Sequence, residues 1–257
     1  MLTDTHLHLY LDDFNDDLDN VISDARKNNV SRFFLPNINS SSIAKLLKIC
    51  KLYENTFPMI GLHPCYVKEN FKQELKHLKS LLEKYKFIAI GEIGIDLHWD
   101  KNFFSQQKIA FLEQIEWAKK YKLPIVIHSR NSFDEIYEIL CSYTGHKLKG
   151  IFHCFSGTID QANKIIDMGF LLGIGGISTF KNSNMDSVLK EIDIKNIVLE
   201  TDSPYLAPTP FRGKRNEPKY LVFIAEKICK LKNISLDELA YQTNQNIDRV
   251  FFKKMIY

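Results

Sequence analysis

No Cys-x-x-Cys pair occurs among the five cysteines, which stand far apart at positions 50, 65, 141, 154 and 229. The odd count and wide spacing argue against a disulfide framework and for reduced thiols in a cytosol. No strong charge imbalance is present: 34 basic side chains face 31 acidic ones, a formal charge of +3. That is too weak to mark a nucleic-acid binder, although a local basic patch is compatible with it. The N-terminus shows no basic segment followed by an apolar stretch, so no signal peptide is expected. The longest nearly continuous apolar stretch, Met168 to Ile177, is about ten residues, half of the roughly 20 a membrane span needs. Low-complexity segments, linkers and internal sequence repeats are also missing. With 45% hydrophobic and 25% charged residues the chain is not a disordered one. These features predict a cytoplasmic protein, one domain over residues 1–257, with no membrane and no obligate protein partner.

What the chain does contain is a rhythm. Eight short apolar runs recur: Leu2–Leu9, Val30–Leu35, Pro58–Leu62, Phe87–Gly91, Ile125–His128, Gly150–Cys154, Phe170–Ile174 and Ile197–Glu200. Most are rich in β-branched or aromatic residues and end in a glycine, proline, serine or polar group, as buried parallel strands do. Amphipathic helical patterns separate them. Leu18, Val21, Ile22 and Ala25 form one stripe, Leu75, Leu78, Leu81, Leu82 and Tyr85 another, Phe111, Leu112, Ile115 and Ala118 a third. Two more follow the eighth run, and Ser235 with Glu238 makes a capping box for the last. Eight such units in this length predict an α/β fold, a (β/α)8 TIM barrel with an extra C-terminal helix. An open doubly wound sheet fits less well, because no Gly-rich phosphate turn follows the first run.

Polar residues gather where the runs end: His6 and His8, His63, Glu92 and Asp96, His128 and Arg130, His153, Asp202. In a closed barrel these carboxyl ends share one mouth. With His98, two residues after Asp96, six of the eight histidines lie at or just beyond such ends; His77 and His146 fall on a helix and a loop. Strand alternation puts His6 and His8 on one face with Asp4 behind them. It points His153 inward and turns Cys154 toward the surrounding helices, as a core residue. Each piece alone has a plainer explanation, since a single His-x-His or a strand-end histidine is usually structural. Together, four histidines and two carboxylates aimed at one mouth are costly to bury without a cation. Imidazole and carboxylate are ligands for divalent metals, and a carboxylate can bridge two. Six ligands exceed what one tetrahedral ion needs, which favours two open sites.

The segments Asp4-Thr5-His6-Leu7-His8, Gly61-Leu62-His63-Pro64, Gly91-Glu92-Ile93-Gly94-Ile95-Asp96, His128-Ser129-Arg130, His153-Cys154-Phe155-Ser156-Gly157, Glu200-Thr201-Asp202-Ser203-Pro204 and Arg212-Gly213-Lys214-Arg215-Asn216-Glu217-Pro218 together resemble the TatD family of metal-dependent DNases. The family is a TIM-barrel branch of the amidohydrolase superfamily. The resemblance implies a two-metal hydrolase cutting DNA phosphodiesters, commonly as a 3′→5′ exonuclease. It implies that His6, His8, Glu92 and Asp202 hold one metal, and that Glu92, as the bridge, holds the other with His128 and His153. Ile95 stands where leucine is frequent, and Leu97-His98 where an aromatic often follows Asp96.

On this basis two divalent ions, magnesium, manganese or zinc, are the expected cofactors, and DNA, single-stranded or at its 3′ ends, is the expected partner. Catalysis is assigned to Asp202 as ligand and general base, Glu92 as bridge, and His63 and Arg130 as phosphate contacts, with Glu200 orienting Asp202. The segment Thr201–Pro218 holds four of the eight prolines, which stiffen a loop carrying Tyr205, Phe211, Arg212, Lys214 and Arg215. Cations for phosphates and aromatic faces for bases are single-strand binding parts. Salt bridges to neighbouring helices are the competing explanation for the arginines. Trp99, Lys101, Phe103 and Phe104 form a candidate opposite rim. Three alternatives remain open at this point: an amidohydrolase or esterase for a small molecule, an aminoacyl-tRNA deacylase, and a metal-stabilised nucleic-acid-binding scaffold without turnover.

Overall fold

Each apolar run becomes a strand: the second keeps its bounds, the fifth extends to Arg130, and the others are shortened or shifted. The computed structural model describes residues 1–99, 101–143, 145 and 148–252; His146 lies outside them. The strands are β1 (Leu2–Asp4), β2 (Val30–Leu35), β3 (Thr56–Pro58), β4 (Ile90–Asp96), β5 (Ile125–Arg130), β6 (Gly150–Phe152), β7 (Leu171–Ile174) and β8 (Ile197–Leu199). The helices are α1 (Leu18–Lys27), α2 (Ile43–Leu52), α3 (Phe71–Lys84), α4 (Phe104–Tyr121), α5 (Phe133–Cys141), α6 (Ile159–Asp167), α7 (Met185–Glu191), α8 (Leu221–Lys232) and α9 (Leu236–Phe251).

Strands β1 to β3 pair in parallel order, and β4 to β8 do the same. Two seams close the ring. Ile60 bridges Ile90 in parallel, and Gly91 N–H donates to Ile60 O at 2.9 Å. Leu7 bridges Ser203, flanked by Asp202 N–H to His6 O at 2.8 Å and His8 N–H to Ser203 O at 2.7 Å. The result is a closed (β/α)8 barrel with α9 added. Among the described residues no helix is long and apolar enough to cross a membrane.

Two apolar layers hold it together. Inside the ring, Phe34, Met59, Ala89, Val126, Ile151, Leu171 and Val198 meet Ile247 and Val250 of α9. That helix therefore closes the amino-terminal end of the barrel. Its buried Asn246 amide donates to Ile194 O and Ile197 O, both at 2.8 Å, satisfying carbonyls that would otherwise be buried unpaired. A larger shell lies between strands and helices, where the stripes of α1, α3 and α4 find their partners. Both layers leave the carboxyl ends of the strands, the opposite mouth, for polar side chains.

Candidate metal centre

Glu92 on β4 is the hub, and its backbone is clamped from neighbouring strands. Its N–H donates to Asn37 O at 3.0 Å, and Asn37 N–H donates to Gly91 O at 3.2 Å. The buried Asn37 amide also donates to Gly61 O at 2.8 Å, tying three adjacent strand ends together. Two buried glutamines of α4 reach inward. Gln107 Oε1 accepts from Asp96 N–H at 2.8 Å, and Gln114 Oε1 accepts from Leu62 N–H at 2.7 Å. Gly94, at φ +143°, has no room for a side chain, since an added Cβ would lie 2.0 Å from His128 O.

The two oxygens of Glu92 face different histidines. Oε2 lies 3.0 Å from His6 Nε2 and 3.7 Å from His8 Nε2. Asp202 Oδ1 completes this side, 3.7 Å from His6 Nε2 and 3.4 Å from His8 Nε2. Oε1 lies 2.9 Å from both His128 Nδ1 and His153 Nε2, and 3.1 Å from His63 Nε2. The rings of His6 and His153, one from each side, stack at 3.9 Å. All of these residues are buried except His63 and His128, which are partly so.

Hydrogen bonds fix which nitrogens carry protons. His128 Nε2 faces Asp96 Oδ2 at 2.8 Å; a carboxylate only accepts, so Nε2 holds the proton and Nδ1 is bare. His8 Nδ1 lies 2.8 Å from Tyr10 OH, and that hydroxyl donates its proton to Pro36 O at 2.7 Å. His8 Nδ1 is therefore the donor and Nε2 is bare. His153 Nδ1 makes no hydrogen bond, but the Glu200 carboxylate 3.5 Å away favours a proton on that nitrogen and so leaves Nε2 bare. Three lone pairs thus point at carboxylate oxygens: acceptor meets acceptor inside a buried cluster. Such a set is stable only around cations or with imidazoles protonated, so the donor set fits two divalent ions sharing Glu92.

His63 is different, although its Nε2 stands within ligating distance of Glu92 and His128. Its Nδ1 accepts the Cys65 N–H at 3.1 Å. The proton of a neutral His63 is therefore on Nε2, which faces the cleft as a donor and not as a ligand.

Without cations the cluster's electrostatics are polarised. Burial alone would raise Glu92, but His63, His153 and His6 hold its carboxyl well below the usual range. Asp202 is likewise lowered, against burial, by the neighbouring imidazoles of His8, His153 and His6. Burial opposes the charged form of His153, yet Glu92 and Glu200 push it well above its ordinary value. His6 goes the other way, lowered by burial and by His153.

Comparison with known proteins identifies this arrangement. The family model described as TatD related DNase matches residues 3–252. The chain belongs to the TatD family. Its relative YabD of Bacillus subtilis, a metal-dependent hydrolase of uncharacterised activity, is 38% identical over 98% of this chain and 99% of YabD. The crystal structure of YjjV, a TatD homologue from Escherichia coli, superposes with a TM-score of 0.92 at 28% identity, covering 97% of each chain. A TatD family hydrolase from Entamoeba histolytica gives 0.86 at 25% identity over 98% of each. As a TatD member the chain is a metal-dependent hydrolase with a TIM-barrel fold.

Several expectations for this TatD chain change in the structure. Cys154 does not face the helices. The strand ends at Phe152, Cys154 turns into the left-handed region at φ +49°, and its half-buried thiol is pushed well up by burial and by the carboxylates of Asp202, Glu200 and Glu92. Glu200 does not orient Asp202. It is fully buried, accepts the Cys154 N–H at 2.5 Å and backs His153. Gly173 makes the space, since a Cβ there would meet Glu200 Oε2 at 2.2 Å. Asp4 accepts from Thr201 N–H at 2.9 Å and Thr201 Oγ1 at 2.5 Å, so it pins the β8 end and not a histidine ring.

The basic loop also divides. Arg215 is a tie: it grips Asp17 through two bonds of 2.9 and 2.7 Å, reaches Glu217 at 3.1 Å, and covers the Phe14 ring. It is not available as a phosphate contact. Phe211 stacks on Tyr220 at 4.1 Å and meets Phe223 edge-on at 5.2 Å. Arg212 is exposed over Phe180, Lys214 is exposed, and Tyr205 is 52% exposed beside His8. On the opposite rim, Arg130 is exposed over the Trp99 ring. Phe104 packs on the core, and Phe103 lies under Lys68. Missed from sequence were Asn37, Gln107, Gln114, Asn216 and Tyr10. Each is an ordinary residue type whose role depends on a contact that the fold makes and no local motif marks.

Proposed function

We propose that this chain hydrolyses DNA phosphodiester bonds, removing nucleotides from unpaired 3′ ends with the help of two divalent cations. The observation that carries this is the two-sided engagement of Glu92, with separate ligand sets on its two oxygens. His6, His8 and Asp202 would hold one cation with Glu92, and His128 and His153 the other. Four imidazoles suit zinc or manganese better than magnesium. Two such ions, when bound, polarise a water and a phosphoryl oxygen.

The protein supplies the rest. Asp202, kept ionised by the surrounding histidines, accepts at its carboxylate the proton of the attacking water. His63 donates from Nε2 to a non-bridging phosphoryl oxygen, because Cys65 N–H occupies its Nδ1. Arg130, exposed at the mouth, neutralises the charge that develops on the same phosphate. Arg212 and Lys214 attract the backbone of the approaching strand.

The test is to strip the protein with EDTA, restore manganese or zinc, and follow 3′-labelled and 5′-labelled single-stranded DNA on a gel. Metal-dependent release of mononucleotides from the 3′ end supports the proposal, with Glu92→Ala and Asp202→Ala abolishing it while the fold stays intact. Metal-dependent binding without products would support a scaffold. Turnover of small esters or aminoacyl-tRNA alone would support the other hydrolase classes.

A further inference from the structure

Among the described residues, Tyr66, Trp99, Tyr205 and Leu206 are large hydrophobic side chains exposed on loops at the metal-bearing end of the barrel. Trp99 has Arg130 over its ring, 5.1 Å from the centroid. The two tyrosines present open faces, being 44% and 52% exposed. Their local settings match. Tyr66 stands three residues after His63, in a turn containing Pro64, and its N–H donates to His63 O at 2.9 Å. Tyr205 stands three residues after Asp202, in a turn containing Pro204, and its N–H donates to Asp202 O at 2.8 Å. Each turn is braced. The buried Asn216 amide donates to Tyr205 O and Thr201 O, both at 2.7 Å, and Cys65 N–H holds the His63 ring.

The rings flank the cluster from its two sides. Tyr66 lies 6.2 Å from His63, on the Oε1 side of Glu92, and Tyr205 lies 6.0 Å from His8, on the Oε2 side. Burial pushes the Tyr205 hydroxyl up to about 12, with the Tyr66 phenol and Asp202 adding to it. Both rings are neutral phenols at physiological pH. An exposed aromatic pair of this kind stands on braced turns beside the candidate metal centre, and Arg130, Arg212 and Lys214 are exposed at the same end of the barrel. An apolar protein partner would not call for that surrounding charge, whereas a nucleotide has both a phosphate and a π-face.

We propose that Tyr66 and Tyr205 form a clamp that stacks on the bases either side of the scissile phosphate and so selects unpaired DNA over duplex. The inference rests on the DNA phosphodiesterase function proposed above and names the substrate class within it. A phosphate seated at the cluster carries one nucleoside on each side, and one ring waits on each side. In a duplex the base faces are covered by their neighbours and only the edges are exposed, so neither ring gains a partner. The contact is with the ring face, which makes the hydroxyl dispensable.

The experiment measures KM and kcat for manganese-loaded protein on a single-stranded oligonucleotide. A matched strand with abasic tetrahydrofuran sugars at its 3′-terminal positions and a blunt duplex are run alongside. Tyr66→Ala and Tyr205→Ala are each expected to raise KM on the base-bearing strand roughly 10-fold to 100-fold, with far smaller changes in kcat. On the abasic strand the same variants should match the unsubstituted protein. Tyr66→Phe and Tyr205→Phe should keep the original KM. Unchanged KM in the alanine variants, equal losses on abasic and base-bearing strands, or phenylalanine variants as weak as alanine would each overturn the clamp while leaving the DNA function standing. Failure of the unsubstituted protein to cleave any DNA would overturn both.

Discussion

Asp96→Asn is the sharpest perturbation of the centre, because it changes one atom type and nothing in shape. Asp96 Oδ2 receives the His128 Nε2 proton at 2.8 Å, and Oδ1 receives the N–H groups of His98 and Trp99 at 2.8 and 2.9 Å. An asparagine keeps Oδ1 on the two backbone donors, so its NH2 must face His128. That donor forces the imidazole to accept at Nε2 and to carry its proton on Nδ1, the atom aimed at Glu92 and His153. The lone pair on that side is lost. A hydrogen bond to a charged group contributes about 1.5–3 kcal/mol, and a second-sphere loss of this kind weakens metal affinity roughly 10-fold to 100-fold; the two estimates agree, since a decade is about 1.4 kcal/mol. Asp96 is 1% exposed, so solvent screening takes little of this away. Isothermal titration of chelator-stripped protein with manganese should show two strong equivalents before the substitution, and one strong plus one weakened after it. Thermal melting of the stripped protein should fall modestly, because there the Asp96 charge also stabilises the raised His128 imidazole, while the backbone bonds survive. Two equivalents of unchanged affinity would refute the tautomer assignment, and with it the claim that His128 offers Nδ1.

Three further outcomes are expected. His63→Ala should lower kcat about 100-fold, the scale of a lost transition-state donor, while titration still counts two cations; a drop to one would make His63 a ligand. Arg215→Ala removes its pair with Asp17 and its cover on Phe14 and should cost about 1–2 kcal/mol, lowering Tm by roughly 2–8 °C for a chain of this size, with KM for oligonucleotides unchanged when measured on the folded protein. Cation loading near neutral pH should release protons: Glu92 and Glu200 against burial raise His153, and Asp96 and Glu92 against burial raise His128, so both hold a proton more tightly in the stripped protein than an ordinary imidazole and must lose it to bind metal. Titrations in buffers of different ionisation enthalpy would show this as a buffer-dependent heat, and buffer-independent heats would contradict it.

The barrel was legible in the alternation of apolar runs and helical stripes because burial of both strand faces leaves a periodic mark. The positions of the histidines were legible for the same reason, each standing where a run ends. What alternation could not supply was the path beyond the last ladder bond. β1 stops at Asp4, yet His6 and His8 still point inward, because their backbones stay paired with Asp202 and Ser203. After β6 and β8 the chain turns left-handed at Cys154 and Asp202, and the two-residue period ends there. Cys154 and Glu200 were misplaced by that period, each by a single dihedral. Arg215 illustrates a second limit. A cluster of arginines and lysines reads alike whether it meets a phosphate or an aspartate, and here the aspartate is Asp17, 198 residues away.

The charge inventory explains why this mouth requires a resident cation at all. Among the described residues no lysine or arginine is buried, while Glu92, Asp96, Glu200 and Asp202 all are. Asp4 is a fifth buried carboxyl, but burial pushes it up to about 8, so it is protonated at neutral pH and adds no charge. Four carboxylates set together without a basic side chain would repel one another and lose their hydration. Protonated imidazoles offset this only in part, because His6 and His63 resist protonation through burial. Two divalent cations match four carboxylates in charge. They also fill the bare nitrogens of His8, His128 and His153 while leaving in place the protons that face Tyr10, Asp96 and Glu200, and each ion brings two charges where a proton brings one. A basic side chain in the cleft would neutralise the carboxylates equally well but would fill the space a phosphate needs. The exclusion of lysine and arginine from the interior therefore keeps the mouth open to substrate and makes its charge balance depend on ions that carry open coordination positions.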